Sequence, residues 1–239
     1  MEKKTVINVI MFYFTIIGLF TIGTILGNRL VYVLSENTPI SRIHTIVIDP
    51  GHGGEDGGAT SCTGILESRY NLEISLRLRD LLHLLGYQTV MTRETDSSIY
   101  TSGNTISQRK MSDLKERVRI AEMNKQSVYI SIHQNFFQEQ KYSGAQVFYG
   151  KGPGSKELAG RLQTMLVSTI NCGSHRKEKS GSGIYILEKI ASPSILVECG
   201  FISNPTEEEL LSTPDYQKHL GSVISCAVIS YLHSTIDHK

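Results

Sequence analysis

Ile43-His-Thr-Ile-Val-Ile48, running straight into Asp49-Pro-Gly-His-Gly-Gly-Glu-Asp-Gly-Gly58, is the stretch on which the fold turns. A short β-rich run breaks at Asp49-Pro50-Gly51, and glycines then crowd both sides of His52. Such glycines let the backbone bend sharply and leave the imidazole uncrowded. Working outward, Asn71 to Leu85 sets Leu72, Leu76, Leu78, Leu82 and Leu85 at roughly helical spacing, with Gly86 as a stop. Tyr87 to Thr92 is strand-like, Glu94 to Ser107 reads as a polar surface loop, and Asp113 to Asn124 as a charged amphipathic helix. Val128 to Ile132 and Ala145 to Tyr149 read as strands, and Lys156 to Ile170 as a helix. Ile184 to Leu187 and Ile195 to Val197 read as further strands, and Tyr216 to His233 as a long final helix. Strands alternating with helices predict a three-layer α/β domain around a mainly parallel sheet.

The chain has 239 residues, enough for one or at most two domains. Its 24 Lys and Arg balance 23 Asp and Glu, for a net charge of +1. That balance offers no support to a nucleic-acid role, which calls for a strongly basic face. After Lys3 and Lys4, the run from Val6 to Leu26 is almost entirely apolar and long enough to span a bilayer as a helix. It lacks a clean small-residue cleavage site. We read residues 1–34 as an uncleaved single-pass anchor, with a cleaved secretion signal as the alternative. Residues 35–42 then form a linker and 43–239 a catalytic domain on the extracytoplasmic side of the membrane, since Lys3 and Lys4 favour a cytoplasmic N-terminus. Cys62, Cys172, Cys199 and Cys226 are scattered and form no Cys-x-x-Cys pair, so no disulfide framework is predicted.

Four polar positions carry the chemistry. His52 follows the first strand, His133 closes the apolar run Tyr129-Ile-Ser-Ile-His133, and Glu198 closes Ser194-Ile-Leu-Val-Glu198. Open α/β sheets place their sites where strands end. Each position has a plainer reading. The His52 loop could be an anion-binding glycine loop, and a histidine ending a strand is more often a satisfied core residue than a ligand. A strand-end glutamate needs a cation or hydrogen bonds to offset its desolvation, which a structural ion pair could supply. Glu67, just ahead of the first helix, reads alone as a charge complementing the helix dipole. Together, two histidines and a carboxylate make a catalytic zinc set with one position left for water, and a further glutamate can shuttle its proton. No His-Glu-x-x-His helix motif occurs, so the ligands must converge from separate loops.

Asp49-Pro-Gly-His-Gly-Gly54, Glu67, Ser131-Ile-His-Gln-Asn135 and Val197-Glu-Cys-Gly-Phe-Ile-Ser-Asn204 resemble, in order, the signature blocks of the zinc-dependent N-acetylmuramoyl-L-alanine amidases of the amidase-3 type. The resemblance covers Ile43 to the C-terminus. It implies zinc held by His52, Glu67 and His133, Glu198 as catalytic acid/base, peptidoglycan as substrate, and a mixed six-stranded sheet flanked by helices. Thr92-Arg93 and Asp96 resemble a structural segment of the family, and Arg117 sits where the family has a helical arginine. Asn135 is close enough in sequence to His133 to contact substrate or to orient a ligand, and Cys199 reads as packing.

Only a short loop, Phe136 to Ser143, separates Asn135 from the next strand, where Gram-negative cell-separation amidases carry an inhibitory helical insert. With no added wall-binding module, the chain looks like the germination-specific amidases of spore formers. That likeness implies a role in spore-cortex maturation, and likeness to clostridial relatives implies an activating lipoprotein partner. Two rivals stand beside this reading: a zinc peptidase cutting within the stem peptide, and a non-catalytic wall-binding scaffold.

Overall fold

The computed structural model describes residues 11–12, 45–124 and 127–237. Apart from Met11 and Phe12, the expected anchor and linker lie outside the described residues. Among the described residues no helix is long and apolar enough to cross a membrane. The described residues from Thr45 onward form one compact unit.

Six strands make one sheet: β1 (Ile46–Pro50), β2 (Thr89–Met91), β3 (Val128–Asn135), β4 (Gln146–Tyr149), β5 (Lys179–Ser180) and β6 (Ser194–Phe201). Their order is β2-β1-β3-β6-β4-β5. β2, β1, β3 and β6 run parallel, β4 lies antiparallel to β6, and β5 is parallel to β4. This is the mixed, mainly parallel six-stranded sheet expected. Among the described residues six helices accompany it: α1 (Glu67–Leu84), α2 (Ile106–Met123), α3 (Ser155–Thr169), α4 (Tyr185–Lys189), α5 (Pro205–Leu211) and α6 (Pro214–Asp237).

The central strands are buried on both faces, which is why they read as continuous apolar runs. Ile46, Ile48, Ile130, Ile132, Ile195 and Val197 point to one face and pack against Leu78 and Leu82 of α1, Leu158 and Leu162 of α3, and Leu220 and Ile224 of α6. Val47 and Tyr129 point the other way, toward Ala121 of α2 and Ile186 and Ile190 in and after α4. The same alternation that buries Ile130 and Ile132 sends Ser131 and His133 to the second face, and burial of Val197 sends Glu198 there too.

Three expectations need correction. Ile184–Leu187 is not a strand: Tyr185–Lys189 is a helical turn that buries Ile186 and Leu187. A four-residue apolar run does not distinguish the two by periodicity. The missing strand is β5, two exposed residues whose pairing is entirely backbone. The polar loop up to Ser107 ends earlier than expected, because Thr105 and Gln108 form a reciprocal capping box and start α2 at Ile106. Finally, β1 continues through Asp49 and Pro50, both paired with β3, so the turn begins at Gly51.

Candidate active site

The loop after β1 holds His52 with φ of 59°, a left-handed conformation that costs a non-glycine residue about 1–3 kcal/mol. Two buried arginines hold it there. Arg117 of α2 donates to the carbonyls of Pro50 (2.9 Å) and His52 (2.8 Å). Arg93 donates to the carbonyls of Pro50 and Gly51, both at 3.0 Å. Asp49, fully buried, is the counter-charge: it pairs with Arg117 and accepts from the hydroxyls of Thr92 (2.6 Å), Tyr129 (2.6 Å) and Ser131 (2.7 Å). Burial alone would raise the Asp49 pKa, but the Arg117 guanidinium and the three hydroxyls hold it well below the usual carboxylate range. Burial, with Arg117 nearby, lowers the Arg93 pKa to about 10. Arg117 also bonds Asp113 at 2.6 Å, and Asp96 accepts from the Gly54 amide at 2.9 Å. The structural roles expected for Thr92, Arg93, Asp96 and Arg117 thus have a definite object, the backbone around His52.

On this scaffold His52, Glu67 and His133 converge, with one ligand atom from each lying within 4.8 Å of the others. Glu67 opens α1, but its side chain turns inward rather than capping the helix. Oε1 meets His133 Nδ1 at 3.0 Å and Oε2 meets His52 Nε2 at 3.3 Å. Oε1 also accepts from the Gln134 amide and Asn71 Nδ2, both at 3.2 Å, and Oε2 from the Ala59 amide at 3.1 Å. Burial pushes the Glu67 pKa up, yet the two imidazoles beside it bring it far below the ordinary value. Asp56 takes the other nitrogen of His52, Nδ1, at 2.9 Å. A carboxylate there fixes the tautomer and aims Nε2 at the shared centre, the usual outer partner of a metal-bound histidine. Burial would lower the His52 pKa, but hydrogen bonds to Asp56 and Glu67 lift it to about 9. Two glycines leave room for this packing. A Cβ on Gly51 would fall 2.2 Å from the His133 ring, and one on Gly58 would fall 2.6 Å from Glu67 Oε2.

Glu198 lies beside the cluster by strand register, directly opposite His133 across the β3–β6 pair. Immediately after that pair the register shifts by one residue on β6, a bulge of the kind that re-aims side chains next to active sites. Glu198 Oε2 is buried without a hydrogen-bond partner. Burial raises its pKa to about 7, with the nearby Glu67 charge adding to the rise and His133 and His52 opposing it. The plain ion-pair reading of Glu198 therefore fails, since no cation pairs with it among the described residues. His52, Glu67 and His133 are an oxygen–nitrogen donor set suited to a divalent metal such as zinc. The unmatched carboxyl beside them is suited to moving a proton.

Asn135 is two residues beyond His133 and outside the cluster; its carbonyl accepts from the Ile202 amide at 2.9 Å. Cys199 is fully buried and packs in the main core. Sequence reasoning assigned no role to Asp56, Asn71 or Gln134. Asp56 had a weak signal, an acid four residues after His52. Asn71 had one too, an amide one helical turn after Glu67; its Nδ2 also binds the Gly51 carbonyl at 3.1 Å, and its Oδ1 accepts from Gln134 at 3.2 Å.

Comparison with known proteins agrees with this geometry. A sequence profile of the N-acetylmuramoyl-L-alanine amidase family, Amidase_3, matches residues 46–230. The germination-specific N-acetylmuramoyl-L-alanine amidase of Bacillus subtilis is 40% identical over 188 residues, 78% of each chain. Among solved structures, the CwlD amidase of Clostridioides difficile, in complex with the GerS lipoprotein, superposes with a TM-score of 0.76 at 38% identity, over 80% of this chain and 99% of that one. The amidase AmiC2 of Nostoc punctiforme superposes with a TM-score of 0.69 at 29% identity, over 81% of this chain and 99% of that one. With its sheet, its ordered sequence blocks and its His-Glu-His cluster in agreement, the chain belongs to the N-acetylmuramoyl-L-alanine amidase family, enzymes that cleave the bond between muramic acid and L-alanine in peptidoglycan.

Proposed function

We propose that this amidase is zinc-dependent, that Glu198 is its proton shuttle, and that it acts from the outer face of the cell membrane on spore-cortex peptidoglycan. The observation that carries the catalytic part is the buried, unbonded Oε2 of Glu198 beside His52, Glu67 and His133. A buried carboxyl without a partner is costly unless it has work to do. When bound, zinc supplies Lewis acidity, lowering the pKa of water and polarising the scissile carbonyl. His52 Nε2, His133 Nδ1 and a Glu67 oxygen would hold it. Asp56 keeps His52 in the correct tautomer, while Asn71 and the Gln134 amide keep Glu67 oriented. Glu198, with its pKa raised to about 7, can accept a proton from the attacking water and release it to the departing alanine nitrogen at neutral pH. To Asn135, which ends β3 two residues beyond His133, we assign a contact with substrate.

The cortex assignment rests on the likeness to the germination-specific relative, and an activating lipoprotein partner rests on the relative solved with one. The membrane tether rests on the apolar run Val6 to Leu26, with secretion after signal cleavage as the alternative. The test uses the full-length chain loaded with zinc, intact and cortex peptidoglycan, and mass spectrometry of the products. We expect release of peptides with a free alanine amine, and Glu198→Gln that binds zinc normally yet loses nearly all turnover. Cleavage inside the stem peptide, or substantial turnover by Glu198→Gln, overturns the assignment.

A further inference from the structure

The reacting centre separates two flanks of different charge. On the β1 side, nearby cations are matched: Arg109 pairs with Glu55, and Lys110 lies 3.2 Å from Asp56. On the β5 side two lysines are not. Glu198 stands in register with Gln146 of β4, whose side-chain amide donates to the Lys177 carbonyl at 2.7 Å. Arg176 reaches the Gln146 side-chain oxygen at 3.4 Å and the Ser143 carbonyl at 2.9 Å, and lies over Phe201, three residues beyond Glu198 on β6. Lys177 and Lys179 are exposed and enter no ion pair among the described residues, while Arg176 stands near the buried Glu207, whose raised pKa its charge partly offsets. The intervening Glu178 faces Gly160 of α3, 3.7 Å from its Cβ position. A strip of three cations therefore stands at the sheet edge, two strands over from Glu198 with β4 between, held at one end by the hydrogen-bonded Arg176.

The bond this family cleaves joins a sugar lactyl group to a peptide that carries the substrate's free carboxylates. Guanidinium and ammonium groups are the natural partners of carboxylates. Resting on the amidase reading, we propose that Arg176, Lys177 and Lys179 form the subsite for the stem-peptide carboxylates. The substrate then lies with its peptide over the β4–β5 edge and its glycan toward β1. Exposed charges of this kind act on encounter and orientation more than on the chemical step.

The test compares full-length zinc-loaded wild type with Lys177→Gln/Lys179→Gln on a soluble muramoyl peptide and on the same peptide with its carboxylates amidated. An exposed charge pair is worth about 1.5- to 5-fold, so loss of two should raise KM for the acidic substrate roughly 2- to 25-fold, with kcat unchanged. The difference should shrink at about 0.5 M salt, where screening falls to a few ångströms. The amidated substrate should not distinguish the two proteins, and Lys218→Gln on α6 should behave as wild type. An unchanged KM, or an equal rise for both substrates, overturns the subsite. Weaker binding to whole cell wall or to anionic vesicles without a KM change also overturns it, and assigns the strip to polymer or lipid anions. Calorimetric binding of the acidic peptide to Glu198→Gln reads the subsite without turnover. A protein that binds the peptide through the strip but frees no alanine amine overturns the amidase reading and leaves the subsite standing.

Discussion

Replacing Arg117 with methionine keeps much of the side-chain volume on α2 but removes the ion-pair partner of Asp49. Both side chains are almost fully buried, 2% exposed for Arg117 and 0% for Asp49. Breaking such a pair from one side leaves an uncompensated charge and costs about 3–5 kcal/mol. For a domain of this size each kcal/mol moves Tm by about 2–4 °C, so Arg117→Met should melt roughly 6–20 °C lower. The penalty should depend on pH with a definite sign. In wild type the Asp49 pKa is depressed, so its stabilisation is present above the ordinary carboxylate range and is lost only as pH falls through the lower folded value. Without Arg117, burial dominates and raises that pKa, so the gap between variant and wild type should narrow as pH falls toward about 4. The carbonyls of Pro50 and His52 lose their donor as well, so zinc affinity should drop alongside stability. Asp49→Asn/Arg117→Met removes the orphan charge and should be less destabilised than the sum of the two single changes. Calorimetric melting across pH, with and without zinc, and chelator competition measure all of this. A single variant melting within about 2 °C of wild type, or strict additivity in the double variant, would refute the clamp.

Other changes probe the centre itself. Glu198→Gln should raise the stability of the zinc-free protein at pH 8 by about 1–3 kcal/mol: a raised folded pKa means stability present at low pH and lost as pH rises through about 7. Equal melting temperatures for wild type and Glu198→Gln at pH 8 count against a strained carboxyl. Gly51→Ala would drive a Cβ to 2.2 Å from the His133 ring and should cut zinc affinity at least about 10-fold, read by chelator competition; wild-type affinity there would mean His133 is not a ligand. Because Asp56 and Glu67 together raise the His52 pKa to about 9, zinc binding at pH 7.5 should release more protons from wild type than from Asp56→Asn, in which Glu67 alone remains. Calorimetry in buffers of different ionisation enthalpy counts those protons, and identical release from the two proteins speaks against the Asp56–His52 coupling.

Much of the architecture was legible in the chain. The central strands are buried on both faces, so Ile46–Ile48, Val128–Ile132 and Ile195–Val197 stand out as apolar runs, and the helices packed over them show helical periodicity. The elements that escaped are those with no core to report. β5 is two exposed residues, and α4 buries only one turn of side chains. The start of α2 was written as Thr105-x-x-Gln108, a pattern of hydrogen bonds rather than of hydrophobicity. Within the site, Asp56, Asn71 and Gln134 drew no notice because each works by orienting another residue, and a polar residue in a loop or on a helix has no signature of what it touches.

By itself the sequence determined the residue types: two histidines and a glutamate able to bind a metal, a fourth acid at a strand end, and four ordered blocks that mark the family. It could not decide that they meet, because they are separated by up to 146 positions and proximity across such distances is made only by strand pairing. Tertiary structure brought His133 and Glu198 into register, turned Glu67 from a helix cap into a shared ligand, and locked His52 into its left-handed turn with two buried arginines. It also left Glu198 Oε2 without a partner. That vacancy depends on every neighbouring side chain at once, which is why no local pattern along the chain could have announced it.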